Sequence, residues 1–425
     1  MTSPFEMESE VRSYCRRIPV VFSKARNALL WDEEGHVHID LLSGCGALNY
    51  GHNNPVIQKA IIEYLESDGI ILAMDLHTTP KRAFLDEFNR TILAPRHLQY
   101  KVQFAGPTGT NAIEAALKLA RKVTRRVSIV GFSHGFHGMT LGALAATDQK
   151  RARQGAGIPL QHVVHLPFEG FAGAGIAELE RFGRSVENET GGVVRPAAFL
   201  VETVQGEGGL NVASCEWLQA LSALAERLGA LLIVDDVQAG CGRTGNFFSF
   251  ERAGIRPDIV CLAKSIGGLG LPLAIVLIKP EFDLWQPAEH NGTFRANALA
   301  LTAGTSALQL WRDPSFAVEI GKKAEHIGAF IRNLCGEYPS QLNPRGIGLM
   351  QGIAFQQPSL AAKAAEAAVG RRLLIECCGP VDEILKIMPP LTIELEILQE
   401  ALGRLRSAVM QALETTTACY RFAAQ

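Results

Sequence analysis

The sequence lacks the features that mark several large classes of protein. No stretch approaches the roughly 18 uninterrupted apolar residues of a membrane helix, and the most apolar segments, such as 271–278, are strand-sized. Neither sign of charge dominates: 41 Lys+Arg stand against 43 Asp+Glu, a formal net charge of -2, which argues against a general nucleic-acid binder. Residues 1–17 carry Glu6, Glu8, Glu10, Arg12, Arg16 and Arg17 but no apolar core followed by a small-residue cleavage site, so export by a signal peptide is not expected. The nine cysteines, at 15, 45, 215, 241, 261, 335, 377, 378 and 419, form no C-x-x-C pair and no Cys/His spacing of the zinc kind. They read as reduced thiols of a cytoplasmic protein, mostly filling cores. No repeat, low-complexity tract or Gly/Ser linker interrupts the chain.

What is present is an ordinary globular composition on a chain of 425 residues. That length exceeds the ~250–300 residues at which a single core stops growing, so a large domain with a smaller one attached is expected. Between residues 60 and 310, short β-branched runs at 100–104, 127–131, 163–166, 198–202, 231–235, 259–263 and 274–278 alternate with helical patterns. Apolar residues at three- and four-residue spacing predict amphipathic helices over 112–122 and 217–228. Such alternation is the pattern of βα units around a mostly parallel sheet, an α/β fold. Ahead of it, Asp32-Glu33-Glu34-Gly35 predicts a hairpin turn in an N-terminal segment, 1–59, that joins the small lobe. Beyond Trp311 the pattern changes to a long helix, strand-like stretches at 348–355 and 373–377, a Pro389-Pro390 stop and a final helix from about Ile393 to Leu413, giving a separate α+β lobe over 311–425.

Three segments carry chemistry. The first, from Gly106 to Glu114, follows a strand and opens a helix, with Asn111 and Glu114 spaced as an N-cap pair. Its glycines and threonines offer free backbone N–H groups and hydroxyls at the positive end of a helix dipole, which suits a phosphate. No Gly-Lys-Ser/Thr follows, so it is not a nucleotide P-loop. The second, 231–238, is an apolar strand ending in Asp235 and Asp236, placed where open α/β sheets bind ligands. A metal site is one reading and a partner for a heterocyclic N–H is the other; with no His or further acid nearby in sequence, the second leads. In the third, 259–268, an apolar strand ends in Lys264, whose burial lowers its pKa and frees a nucleophilic, Schiff-base-forming amine. Phosphate cradle, carboxylate and lysine together specify pyridoxal 5'-phosphate (PLP).

At this point the chain resembles the class III (ω-amino acid) aminotransferases of PLP fold-type I over nearly its whole length. The resemblance rests on Tyr50-Gly51-His52 with Pro55, Thr108-Gly109-Thr110, Phe136-His137-Gly138, the stretch Glu202 to Gly209, Asp235-Asp236-Val237-Gln238, Lys264, Gly292-Thr293-Phe294 with Asn297, Arg345 to Met350, and Pro389-Pro390-Leu391. The stretches 11–16, 48–55, 103–111 and 289–295 resemble the diaminobutyrate branch of that family in particular. The resemblance implies that Lys264 is the Schiff-base lysine and proton shuttle, that Asp235 pairs with the pyridine N–H, and that Gln238 bonds the ring hydroxyl. Gly109 and Thr110 are implied as phosphate donors, Phe136 as the aromatic stacked on the ring, and His137 as a residue behind it.

Thr293 is implied to reach the phosphate of a neighbouring subunit, which makes a homodimer with shared sites the expected assembly. Glu207 is implied to pair with a cation of the C-terminal lobe that binds the substrate α-carboxylate. The wider family has arginine there, whereas this chain has Lys386, a point charge without the bidentate fork. Arg295, where the wider family has a small residue, is a rival for that task, and Asp236 stands where most of the family has Glu. The implied reaction moves an amino group from glutamate to the aldehyde of aspartate 4-semialdehyde, giving 2,4-diaminobutyrate. Another ω-aminotransferase of acetylornithine, ornithine or 4-aminobutyrate, or an aminomutase of the family, is the alternative.

Overall fold

The computed structural model describes residues 4–188 and 192–423, with the side chains of residues 4, 6 and 415–423 excepted, so that Cys419 lies outside the described side chains. The other eight cysteines are free thiols. Near the N-terminus, β1 (Phe22–Arg26), β2 (Leu29–Asp32) and β3 (Val37–Asp40) form an antiparallel meander. The β2–β3 turn carries Gly35 at φ +84°, the left-handed conformation that glycine adopts without strain.

The large lobe is built on seven strands: β4 (Lys101–Phe104), β5 (Ile129–Phe132), β6 (Val163–Leu166), β7 (Ala198–Val201), β8 (Leu231–Asp235), β9 (Ile259–Leu262) and β10 (Ile275–Ile278). Their order is β4-β10-β9-β8-β7-β5-β6, and β10 alone runs antiparallel to its neighbours. Both faces are covered, which is why these strands read as near-continuous apolar runs. On β8, Leu232 and Val234 pack into one core and Leu231 and Ile233 into the other. The second core is capped by α1 (Gly109–Thr124), which buries Ala112, Ile113, Ala116, Leu117 and Ala120 along one stripe; α2 (Cys215–Leu228) covers the opposite face through Trp217, Leu218, Leu221 and Leu224.

The C-terminal lobe contains α3 (Pro314–Glu337), β11 (Leu342–Ile347), β12 (Met350–Phe355), α4 (Pro358–Val369), β13 (Leu373–Leu374), β14 (Glu376–Cys378), β15 (Ile384–Ile387) and α5 (Leu395–Ala423). An antiparallel sheet in the order β11-β12-β15-β14 sets Glu376 directly opposite Lys386. The short β13 pairs instead with β3 in parallel, and Ala28, Ile39 and Leu41 share one core with residues of α3, α4 and α5. Among the described residues no helix is long and apolar enough to cross a membrane.

One expectation is corrected. The cap of α1 is not Asn111 with Glu114: Thr108 is the last extended residue (φ -120°, ψ 161°), and Asn111, three residues on, accepts from its backbone N–H at 3.2 Å and its hydroxyl at 2.9 Å. Glu114 is left to accept from the Thr140 hydroxyl (2.6 Å) and the Ala143 N–H (3.0 Å).

Candidate active site

The three chemical segments meet at Gly109. A Cβ built there would lie 2.8 Å from Val237 Cγ1 and 3.7 Å from the Cβ of Ala263. Glycine therefore lets the start of α1 close onto the residues that flank Asp235 and Lys264. The N–H groups of Gly109 and Thr110 have no partner among the described residues, as the first turn of a helix leaves them. The Thr140 hydroxyl gives its proton to Glu114, so the Thr110 hydroxyl, 2.6 Å from Thr140 Oγ1, donates to Thr140. The free donors of this cradle are thus backbone ones.

Asp235 ends β8 and, by the alternation of the strand, falls on the side covered by α1. Its Oδ1 accepts from the Val237 N–H (3.1 Å) and its Oδ2 lies 2.7 Å from His137 Nδ1. Burial works against a charge on His137, but the bond to Asp235 outweighs it and the imidazole pKa is raised. His137 accordingly serves Asp235 rather than any ligand directly. Asp236 points to the other side, accepts from the Ser249 N–H (3.1 Å) and is pushed by burial up to about 7, with its Oδ1 buried and unpartnered. Among the described residues, no three His, Cys, Asp or Glu side chains are grouped to hold a metal ion.

Lys264 follows β9 with φ +55°, a left-handed turn that carries it off the line of the strand. Its side chain is half-buried and forms no described hydrogen bond or ion pair. Desolvation lowers its pKa and so favours the free amine, opposed mainly by the negative charge of Glu207. The neighbouring Ser265 hydroxyl donates to the Gly46 carbonyl (2.5 Å) and accepts from the Asn49 N–H (3.1 Å), tying this turn to the N-terminal segment. The half-buried Phe136 is anchored through its N–H to Glu202 Oε2 (3.0 Å), and burial, with the charge of Asp235 adding, pushes Glu202 up to about 7.

Gln238 donates through Nε2 to the Cys45 carbonyl (3.0 Å) and to Glu207 Oε1 (3.1 Å), leaving its buried Oε1 without a partner. Glu207 Oε1 also accepts from Lys386 Nζ at 2.7 Å. Lys386 is fully buried; desolvation opposes its charge, but Glu207 and Glu376 outweigh that and raise its pKa well above the usual lysine value. Glu376 Oε1 is 2.8 Å from the same Nζ, and its Oε2 accepts from the Tyr14 hydroxyl (3.1 Å), which in turn is 2.8 Å from Cys45 Sγ.

Two expected residues stand apart. Arg295 pairs with Asp75 (2.7 Å), not with Glu207 or any group near Lys264, and its buried Nε has no partner. Thr293 is exposed and bonds to none of the residues above. Glu376 and Tyr14 lie in stretches the sequence singles out, 373–377 and 11–16, but no site role is expected of either from sequence. The available signal for Glu376 was a single acid inside the apolar run 373–378.

Two unpartnered N–H groups for a phosphate, a buried carboxylate for a ring nitrogen and an uncommitted lysine for a carbonyl fit PLP. Comparison with known proteins agrees. Residues 12–409 match the family profile described as Aminotransferase class-III. The chain is 52% identical over 411 residues, 96% of each chain, to the diaminobutyrate--2-oxoglutarate transaminase of Halalkalibacterium halodurans, and 51% identical over 410 residues to that of Nocardia farcinica, covering 96% of this chain and 94% of the relative. In fold it is similar to the ornithine aminotransferase of Toxoplasma gondii ME49 (TM-score 0.83, 24% identity, 96% and 94% of the two chains) and to an S-selective transaminase from Arthrobacter sp. with alanine bound (TM-score 0.86, 22% identity, 97% and 98%).

Proposed function

The chain belongs to the class III aminotransferases, and from that membership we propose that it transfers the amino group of L-glutamate to aspartate 4-semialdehyde, reversibly, giving 2-oxoglutarate and L-2,4-diaminobutyrate. The observation that carries the substrate is the identity of about half of all residues, over 96% of the chain, with transaminases of that name.

PLP, when bound, supplies a carbonyl for the substrate amine and an electron-accepting ring that stabilises charge as a proton leaves the reacting carbon. Lys264 would hold the carbonyl between turnovers. Freed by the substrate amine, its Nζ would serve as the base that takes the proton from the substrate's reacting carbon and as the acid that gives it back. Asp235, oriented by His137, keeps a proton on the ring nitrogen. The N–H groups of Gly109 and Thr110 would bind the phosphate, Phe136 would cover the ring and Gln238 would serve its hydroxyl. Lys386 offers its charge to the carboxylate that glutamate carries on its reacting carbon, in exchange for Glu207. Diaminobutyrate reacts at a carbon without a carboxylate and leaves the Glu207–Lys386 pair closed.

The assembly is a homodimer. Exposed apolar side chains of residues 70–76 (Ile70, Leu72, Met74 and Leu76) are tied to the segment of Thr293, Phe294 and Arg295 by the Arg295–Asp75 pair and the bond from the Ala298 N–H to the Ile71 carbonyl, and an apolar surface of this kind marks an interface. In the dimer Thr293 reaches the partner's phosphate site.

The test is a single-turnover titration of the holoenzyme, followed by the absorbance of its cofactor, with diaminobutyrate, glutamate, ornithine, acetylornithine and 4-aminobutyrate in turn. Diaminobutyrate and glutamate should convert it within one turnover. Faster conversion by another ω-amine would keep the family and replace the substrate.

A further inference from the structure

Lys386 has two carboxylate partners where one neutralises it. It is fully buried and hydrogen-bonded to Glu207 at 2.7 Å, yet Glu376 Oε1 also lies 2.8 Å from its Nζ and takes no properly directed hydrogen bond. Glu376 is held from behind: it faces Lys386 across the β14–β15 register, is 6% exposed and accepts from Tyr14. Glu207 is 28% exposed, is shared with Gln238 and faces Lys264. Of the two, Glu207 is free to give way to a substrate carboxylate, and Glu376 is not.

We propose that Glu376 is a specificity-determining residue, whose fixed negative charge behind Lys386 weakens the site's grip on a carboxylate at the reacting carbon and so holds down the affinity for dicarboxylates relative to ω-amines. The proposal rests on the reading of Lys386 as the carboxylate-binding cation. A carboxylate seated on the same ammonium lies within roughly 6 Å of Glu376, where like charges in a partly desolvated site repel appreciably. Glutamate and 2-oxoglutarate bring such a carboxylate, whereas diaminobutyrate and aspartate 4-semialdehyde bring none to the reacting carbon. Without Glu376, Lys386 would present a full unit of uncompensated charge each time Glu207 moved aside, and dicarboxylates would occupy the site at the expense of the diamine. Lysine suits this arrangement: one N–H donor can stay on Glu376 while another turns from Glu207 to a substrate oxygen, without the planar fork of arginine.

The test uses holoenzyme carrying Glu376→Gln, an uncharged substitution of nearly the same shape, and Glu376→Asp, which keeps the charge. Dissociation constants for glutamate and diaminobutyrate come from the concentration dependence of each single-turnover half-reaction, and that for glutarate, an unreactive dicarboxylate, from competitive inhibition. Glu376→Gln should tighten glutamate and glutarate roughly tenfold and change diaminobutyrate by less than about twofold. Glu376→Asp should keep the wild-type ratio. An unchanged or weakened dicarboxylate affinity in Glu376→Gln, or the same shift in both variants, would overturn the proposal, because packing rather than charge would then be the cause. Lys386→Met separates the underlying reading. Loss of glutamate affinity in that variant upholds Lys386 as the cation, while wild-type glutamate kinetics would remove that reading and this inference with it.

Discussion

Adjacent aspartates at the end of β8 have opposite tasks, and chain alternation separates them. Asp235 faces the α1 side and is held by His137; replacing it with Asn removes the charge that keeps the ring nitrogen protonated, and kcat should fall on the order of a hundredfold while the protein still folds. Steady-state kinetics beside a thermal unfolding scan checks both halves of that statement. Asp236 faces the other core, with its folded pKa raised by burial from 3.8 to about 7. The folded chain therefore holds a proton that the unfolded chain has lost, and stability falls as pH rises from about 4 to about 7, then levels off. Asp236→Asn cannot ionise. Its thermal midpoint should gain on that of the wild type between pH 5 and pH 8; a difference independent of pH would mean that Asp236 is already ionised in the fold.

At the scale of elements, the site depends on how closely α1 approaches the ends of β8 and β9. Gly109→Ala puts a methyl 2.8 Å from Val237 Cγ1 and should weaken the cofactor roughly tenfold, in line with the ~1–3 kcal/mol cost of an overpacked contact. Titration of the apoprotein with PLP measures it. The strands of the large sheet were legible in the sequence because burial on both faces makes each a short apolar run, too short for a helix and ended by the turn that carries the chemistry. The positions of Asp235 at the end of β8 and of Lys264 just past β9 were legible for the same reason, because a charge that closes an apolar strand stands out in sequence. The cap of α1 was misplaced because Thr108 and Asn111 are both good caps, and only the backbone angles tell which is the last extended residue. In the small lobe β11 was missed, since Asn343, Pro344, Arg345 and Gly346 hide a strand that the sheet tolerates at its edge. The pairing of Glu376 with Lys386 depends on the β14–β15 register, which no local pattern encodes.

Across the whole molecule the lobes are fastened by Arg243. Fully buried, it donates to the carbonyls of Leu349 (3.1 Å) and Pro389 and to Asn49 Oδ1, while the Asn49 side chain donates back to the Cys241 carbonyl (3.0 Å). One side chain thus ties the loop after β8 to the N-terminal segment and to two points of the C-terminal lobe. Arg243→Lys strands buried acceptors and should cost on the order of 3 kcal/mol, read from denaturant unfolding, with no change in the cofactor's absorbance. The strand orders carry a consequence for biosynthesis. The neighbour of β4 is β10, which begins at Ile275, and the last partner of the β1–β3 meander is β13, which begins at Leu373. On the ribosome the earliest strands must wait with open edges until nearly the whole polypeptide has emerged, so the residues made first are among the last to be secured. Edges left open that long are exposed to wrong pairing through most of translation. Moving the break to a surface loop by circular permutation should be better tolerated than trimming β13 from the C-terminal lobe.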